Sequence, residues 1–437
     1  MVLFSIFRVK RRKVTAAGLI LIVALPTLLF PVDGGDANEP DDGVLSSVRI
    51  EGLRKTQESV ILGLIELEPG DPIGSERARK IEETLVKSDL FASVGVSLEA
   101  PETKKEEPVP AGTPSPLDLV ITVDEKWTLV PIPFLSSGGD GFNGGLILLE
   151  SNLLGRNKQL ITAGFGGTDG ASGFFLFSDP AIFGSRWSGT LSTAVGRSDE
   201  ETLRPDGERI RAYTTDRQSA GLGIGYRIIE GLRTDARLGV TRWTVTDYSP
   251  GLDTEPLDDG SYLEPELRIE YEDTRPVDVL LVGPTAGLAA RWVTIDDGWE
   301  ITANAGWAVP VFTTHRLRVL ASGGYGAMPV IAETPISARD GYRTLPYQAT
   351  NADRWGSTAM LYDLPVVSAD WGAFVLSGYW EYGAYDTEIL DPRTFTGPGG
   401  GFRVYIRQVA IPAVGLDVAY NVIDPAWVFS FTVGARM

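Results

Sequence analysis

Arginine and carboxylate side chains recur at even spacing in the second half of this chain: Glu266, Arg268, Glu270 and Glu272, then Arg316 and Arg318, then Arg403 and Arg407, with Glu381 set among aromatics. Side chains of that kind pair as ions or line a polar conduit. They are poorly equipped for catalysis. There is one histidine, His315, and no cysteine, so no histidine-based triad, thiolate nucleophile, or His- or Cys-based metal site can be assembled. Asp258-Asp259 and Asp296-Asp297 fall at turns and read as solvated charge. No Gly-rich phosphate loop followed by Lys-Ser/Thr is present. The expectation is therefore no catalytic residue, no metal and no cofactor. Net charge is −19, which argues against nucleic acid as a partner, because phosphate binding needs a basic face.

What positions these charges is a run of alternating segments. Trp299, Ile301, Ala303, Ala305, Trp307 and Val309 share one face; Glu300, Thr302, Asn304 and Gly306 share the other. Leu267, Ile269 and Tyr271 oppose the Glu266–Glu272 charges; Phe402, Val404 and Ile406 oppose Arg403, Tyr405 and Arg407. Sixteen such segments of about ten residues can be counted over residues 127–437, with aromatics at their ends. A soluble β-sandwich also alternates, but this segment length and these aromatic ends favour a tilted membrane span. Mean hydropathy is only +0.01. A chain this polar can cross a bilayer only as a closed barrel, which satisfies every backbone N–H and C=O. The fold expected is mainly β: a small α/β domain followed by a 16-stranded antiparallel transmembrane barrel.

Residues 1–37 read as a signal peptide: a basic cluster at Arg8–Lys13, an apolar stretch at Val14–Val32 and small residues at Gly35-Asp36-Ala37. An uncleaved anchor is the alternative, since 19 apolar residues can just span a bilayer. Residues 45–125 read as β-α-α-β-β, with Thr56 and Ser75 as expected helix caps and Ala78, Ile81 and Leu85 at helical spacing. The Pro-, Lys- and Glu-rich stretch Pro101–Pro116 is expected to be a mobile loop.

Three phrases in that domain, Glu51-Gly52-Leu53-Arg54-Lys55-Thr56, Glu68-Pro69-Gly70-Asp71-Pro72 and Asp89-Leu90-Phe91-Ala92-Ser93-Val94, resemble a POTRA domain. Further phrases resemble the BamA/TamA superfamily of POTRA-plus-barrel outer-membrane proteins, which includes two-partner secretion exporters. They are Ser151-Asn152-Leu153-Leu154-Gly155-Arg156, Ser178-Asp179-Pro180-Ala181-Ile182-Phe183-Gly184-Ser185-Arg186, Tyr271-Glu272-Asp273-Thr274-Arg275 with Pro284 and Gly287, Gly399-Gly400-Gly401-Phe402-Arg403, and Gly415-Leu416-Asp417-Val418. The resemblance points to Asn152, Gly155, Asp179, Pro180, Asp273 and Arg275 as strand-turn motif residues. It also implies a sixth extracellular loop carrying Arg-Gly-Tyr/Phe, folded back onto an acidic residue of the thirteenth strand. Here the loop reads Arg339-Asp340-Gly341-Tyr342-Arg343, with Asp340 where Arg is expected, and the acidic residue is Glu381. Either Arg339 or Arg343 is expected to reach Glu381, Gly341 allowing the turn; a solvated loop of mixed charge is the alternative.

A POTRA domain offers strand edges to which an extended chain can add, although a rigid plug or spacer is equally compatible with the residues. Pro131 and Pro133 in the first strand remove ladder donors, and with Gly434 near the last strand they mark a lateral seam. The expected function is an outer-membrane barrel of a Gram-negative-type cell that inserts or exports client polypeptides received by a periplasmic POTRA domain. Its partners would be outer-membrane lipid, an unfolded or partly folded client and accessory periplasmic proteins. A passive pore or surface receptor is the alternative, and an envelope anchor a third reading.

Overall fold

The computed structural model describes residues 43–101, 115–138, 141–167, 170–203, 209–251, 257–332, 336, 342–345, 352–386, 392–408 and 414–433. The expected leader at 1–37, residues 102–114 of the Pro-rich stretch, Arg339, Gly341 and Gly434 lie outside the described residues.

The first elements form a small α/β domain: β1 (Gly43–Glu51), α1 (Glu58–Ile65), β2 (Pro72–Ile73), α2 (Ser75–Lys87), β3 (Phe91–Glu99) and β4 (Ser115–Glu125). Its sheet runs β2-β1-β4-β3, with β1 and β4 parallel and β3 antiparallel to β4. The two-residue β2 is absent from the expected order, because a pair that short has no period to read. It pairs Ile73 with Gly43 and buries the isoleucine fully. Both helices lay their apolar stripes on one sheet face, where Ile61, Ile81, Leu85 and Phe91 close over Leu119 and Ile121. Burial of these side chains is the main force holding the domain together. The expected caps are corrected: the N-cap positions are Gln57 and Gly74, neither with a side-chain capping bond. Thr56 has been recruited elsewhere, as described below.

From Leu129 onward the described chain is almost entirely strand. In order these are β5 (Leu129–Gly138), β6 (Gly141–Leu153), β7 (Lys158–Gly167), β8 (Gly170–Asp179), β9 (Trp187–Leu203), β10 (Arg209–Ile229), β11 (Leu232–Pro250) and β12 (Gly260–Glu272). Next come β13 (Arg275–Val277), β14 (Leu280–Trp292), β15 (Trp299–Val311), β16 (His315–Ala327), β17 (Arg354–Ala369), β18 (Gly372–Asp386), β19 (Arg393–Ile406), β20 (Val414–Asn421) and β21 (Ala426–Val433). They form one closed barrel in which β21 returns to β5. Strand β13 continues β12 against the same partner, β14: pairing stops at Glu272–Thr285 and resumes at Arg275–Val282. The gap has a local cause. Pro284 has no N–H to give, and Gly283 turns at φ +135°, approaching Asp273 too closely for any side chain. Taken as one span, β12 and β13 leave sixteen spans around the barrel.

The faces are inverted relative to a water-soluble protein. Outward positions expose Leu222, Ile224, Leu238, Val240, Leu267, Ile269, Leu376 and Trp380, while Arg316, Arg318, Asp363, Glu381, Arg403 and Asp417 are buried within. An apolar outer band with aromatics such as Trp187, Trp307, Trp371 and Trp427 is what hydrocarbon and its interfaces require. Strands β9, β10 and β11 are longer than expected, at 17, 21 and 19 residues, extending the wall at the end away from the α/β domain.

Candidate functional site

Two sets of residues make up the candidate site: the joint with the α/β domain and the described parts of the β16–β17 loop. The joint is built on the segment joining β1 to α1. Lys55 donates from Nζ to the Glu150 carboxylate and to the Thr128 hydroxyl, both at 2.8 Å. The backbone N–H groups of Lys55 and Thr56 donate to the two carboxylate oxygens of Glu125, again at 2.8 Å. Asn152 donates its side-chain amide to the Thr56 hydroxyl at 2.8 Å, in a buried contact. Its carbonyl oxygen accepts from the Asn157 backbone at 2.8 Å, which shapes the β6–β7 turn. Burial pushes the Glu125 carboxyl up, but hydrogen bonds from Thr56 and from the Lys55 and Arg54 backbone outweigh it and hold the group below its ordinary value.

Gly155 is the point of closest approach. It sits at φ +71°, its carbonyl accepts the Gln57 N–H at 2.8 Å, and a Cβ there would drive into the Lys55 carbonyl. A second tie joins Arg227, before the β10–β11 turn, to Glu66 at the end of α1. The motif residues Asn152 and Gly155 are thus the barrel's half of the joint. Lys55, Glu125 and Glu150, which supply most of its charge, escape sequence reasoning, because partners 70 and 95 residues apart leave no local trace.

Inside the barrel, the described parts of the β16–β17 loop touch two stretches of the wall. Near its start, the carbonyls of Ile331 and Ala332 accept from Arg217 and Arg291 at 2.8 and 3.1 Å, over Tyr213, Trp243 and Tyr262. Further on, Ile336, Leu345 and Ala352 pack with Trp355 and Phe395. Glu381, on β18, is 1 % exposed. Its carboxylate accepts from both the backbone N–H and the hydroxyl of Thr344, each at 2.8 Å. Arg343 makes no ion pair with it; the guanidinium lies over the Tyr379 ring, 5.5 Å from the centroid. Tyr342 meets Phe395 edge-on. Among the described residues the loop reaches Glu381 through Thr344; Arg339, the other arginine expected to reach it, lies outside them.

Below the loop is a buried charge network. Asp363 accepts from Arg316 Nε at 2.8 Å, from Arg318 Nε at 2.9 Å and from the Ser377 hydroxyl at 2.6 Å. Arg403 links Ser377, at 2.8 Å, to Asp417, at 2.9 Å. The lumen arginines of the sequence are thus mostly neutralised locally: Arg268 by Glu266 and Glu270, Arg407 by Asp278. Of the remaining motif residues, Asp179 pairs with Lys158 at 2.7 Å and accepts the Ala181 N–H, while Pro180 follows it into the turn. Asp273 donates its N–H to the Pro284 carbonyl, and Arg275 opens β13. Pro131 and Pro133 stand on the outer face of β5.

No family model and no curated protein matches the sequence. Solved structures do match. CdiB from Acinetobacter baumannii superposes with a TM-score of 0.61 at 14% identity, covering 90% of this chain and 74% of that one. CdiB from Escherichia coli gives 0.61 at 11%, covering 90% and 75%. BamA from Haemophilus ducreyi lacking POTRA domains 1–3 gives 0.52 at 12%, covering 89% and 84%. With a domain docked on the β6–β7 turn and sixteen spans closed into a barrel, this chain shares the fold of these CdiB and BamA structures.

Proposed function

We propose that this chain is an outer-membrane barrel that inserts or exports client polypeptides handed to it by its periplasmic POTRA-like domain. The observation that carries the reading is where the ladder is weakened. In an antiparallel strand successive N–H groups point to opposite neighbours, so Pro131 and Pro133 withhold donors from the same neighbour. Pairing of β5 with β6 runs unbroken from Leu129 to Gly138, which fits that neighbour being β21. A closing seam two donors short is suited to opening sideways toward lipid or to accepting a client strand. The joint supports the same reading, since it fixes the domain to the early strands. Strand edges available for client addition would be that of β3 and the part of β1 beyond its two-residue pairing with β2.

A passive pore or receptor needs neither a docked domain nor a weakened seam. Photo-crosslinking from α2, from β5 and from β21 in intact cells tests the proposal: client polypeptides should be captured at all three. Removal of residues 45–125 should abolish client processing. Steady ion conductance with no captured polypeptide at any of these positions would favour the pore.

A further inference from the structure

Side chains directly opposite in an antiparallel pair share a face. Followed around the barrel, one inner row reads Ile132, Ile147, Ala163, Phe174, Ala194, Ser219, Thr241. The row nearer the domain reads Val130, Leu149, Ile161, Leu176, Ser192, Gly221. The lumen side of β5 to β8 is therefore apolar, although the outer side of the same strands already exposes Leu129, Leu146, Leu148 and Phe175. Elsewhere the lumen carries charge, on β11 and β12 and again on β16 to β20. The described parts of the folded-in loop rest against β10 to β12, β14 and β17 to β19, none of them against this wall.

At the wall's edge stands Arg237. Its guanidinium donates to the Ser192 hydroxyl at 2.7 Å, and Ser192 is the direct cross-strand partner of Leu176. The side chain passes over Gly221, where a Cβ would come within 3.2 Å of Nε. Arg233, Arg268, Arg291, Arg316, Arg318, Arg403 and Arg407 all have a carboxylate partner; Arg237, exposed and on the inner side, has only this serine as a hydrogen-bond partner among the described residues, because Glu266, directly opposite it on β12, is taken by Arg268. A cation without its own carboxylate, in a chain of net charge −19, is a place for an anion from outside.

We infer that the β5–β8 lumen wall with Arg237 is a docking site for an amphipathic extended segment of the client, its apolar face on Ile147, Ile161, Phe174 and Leu176 and a carboxylate on Arg237. The inference rests on the client-handling reading and names the chemistry of the segment. Continuity with the domain joint supports a polypeptide occupant: the β6–β7 turn that holds Gln57 is the domain-side end of this same wall. The wall spans four strands, roughly 15 Å around the barrel, wide enough for one strand laid face-on.

The test uses the full chain in phosphatidylethanolamine/phosphatidylglycerol nanodiscs and a fluorescent twelve-residue peptide alternating Leu with Thr and carrying one Glu, beside its Glu→Gln twin. A photo-crosslinker at position 176 should capture the Glu peptide, and one at the outward position 146 should not. Arg237→Gln should weaken the Glu peptide about tenfold, to the level of the Gln twin, and leave the twin unchanged; Arg237→Lys should recover part of the loss. Because the two peptides are compared on the unaltered protein as well, a misfolded variant cannot decide the outcome. Equal binding of both peptides to the unaltered chain, or phospholipid adducts in place of peptide at 176, would overturn the inference. Peptide capture at the β5 edge with none at 176 would overturn it while leaving the insertion or export reading intact. Capture at neither would sink both.

Discussion

Asp363 holds two arginines and a serine in the barrel interior with one carboxylate, and each partner is itself nearly inaccessible to water. Removing an acid from such a cluster leaves uncompensated buried cations, at a cost of about 3–5 kcal/mol. Asp363→Ala should therefore lower the temperature at which the barrel loses its compact mobility on semi-native gels; an unchanged transition would show the network to be solvated. Glu381 is a different case, because its partners are a backbone N–H and a hydroxyl. Glu381→Ala should release the loop to protease. Thr344→Val, which keeps the backbone donor, should have an effect less than half as large. At this scale the sequence was legible in kind but not in pairing. Alternation put Arg316, Arg318, Arg403 and Glu381 on the inner face. It could not say that Asp363 would take both Arg316 and Arg318, or that Thr344 would bond Glu381, because cross-strand partners carry no sequence spacing.

The domain joint is a property of elements, and one glycine decides its geometry. Gly155→Ala must accept a strained φ and push away the Lys55 carbonyl, so it should loosen the joint by about 2 kcal/mol. Faster proteolytic release of the α/β domain from an intact barrel would register it. The joint should also respond to acid. Hydrogen bonding holds the Glu125 carboxyl below its ordinary value of 4.5, so its stabilising contribution is complete above that pH and is lost as the pH falls through the lowered folded value. Protease release should rise below pH 4.5 in the unaltered protein, and Glu125→Gln should release readily at neutral pH with a weaker acid dependence. A joint indifferent to both would mean that Glu125 is not part of its hold. Strands and helices were the most legible level: long periodic segments announce themselves, whereas the pair Pro72–Ile73 and the break at Asp273-Thr274 depend on contacts no period encodes.

The whole molecule is one barrel with two unequal halves. From β10 to β20 charge, aromatics and the described parts of the loop line the lumen; from β5 to β8 the wall is apolar on both faces and ends where β5 meets β21, the seam we propose to be short of ladder donors. Restoring those donors with Pro131→Val and Pro133→Val should stiffen the closure and slow client processing severalfold while raising barrel stability. Closure itself followed from physics alone, since no open sheet edge survives in hydrocarbon. The asymmetry did not, because it appears only when rows are traced across strands. The most direct measurement is a seam clasp, free of background because the native chain has no cysteine. Cysteine pairs placed along β5 and β21 and oxidised in the folded protein should stop client insertion or export, and reductant should restore it. A covalently closed barrel that goes on processing its client at the original rate would contradict the account.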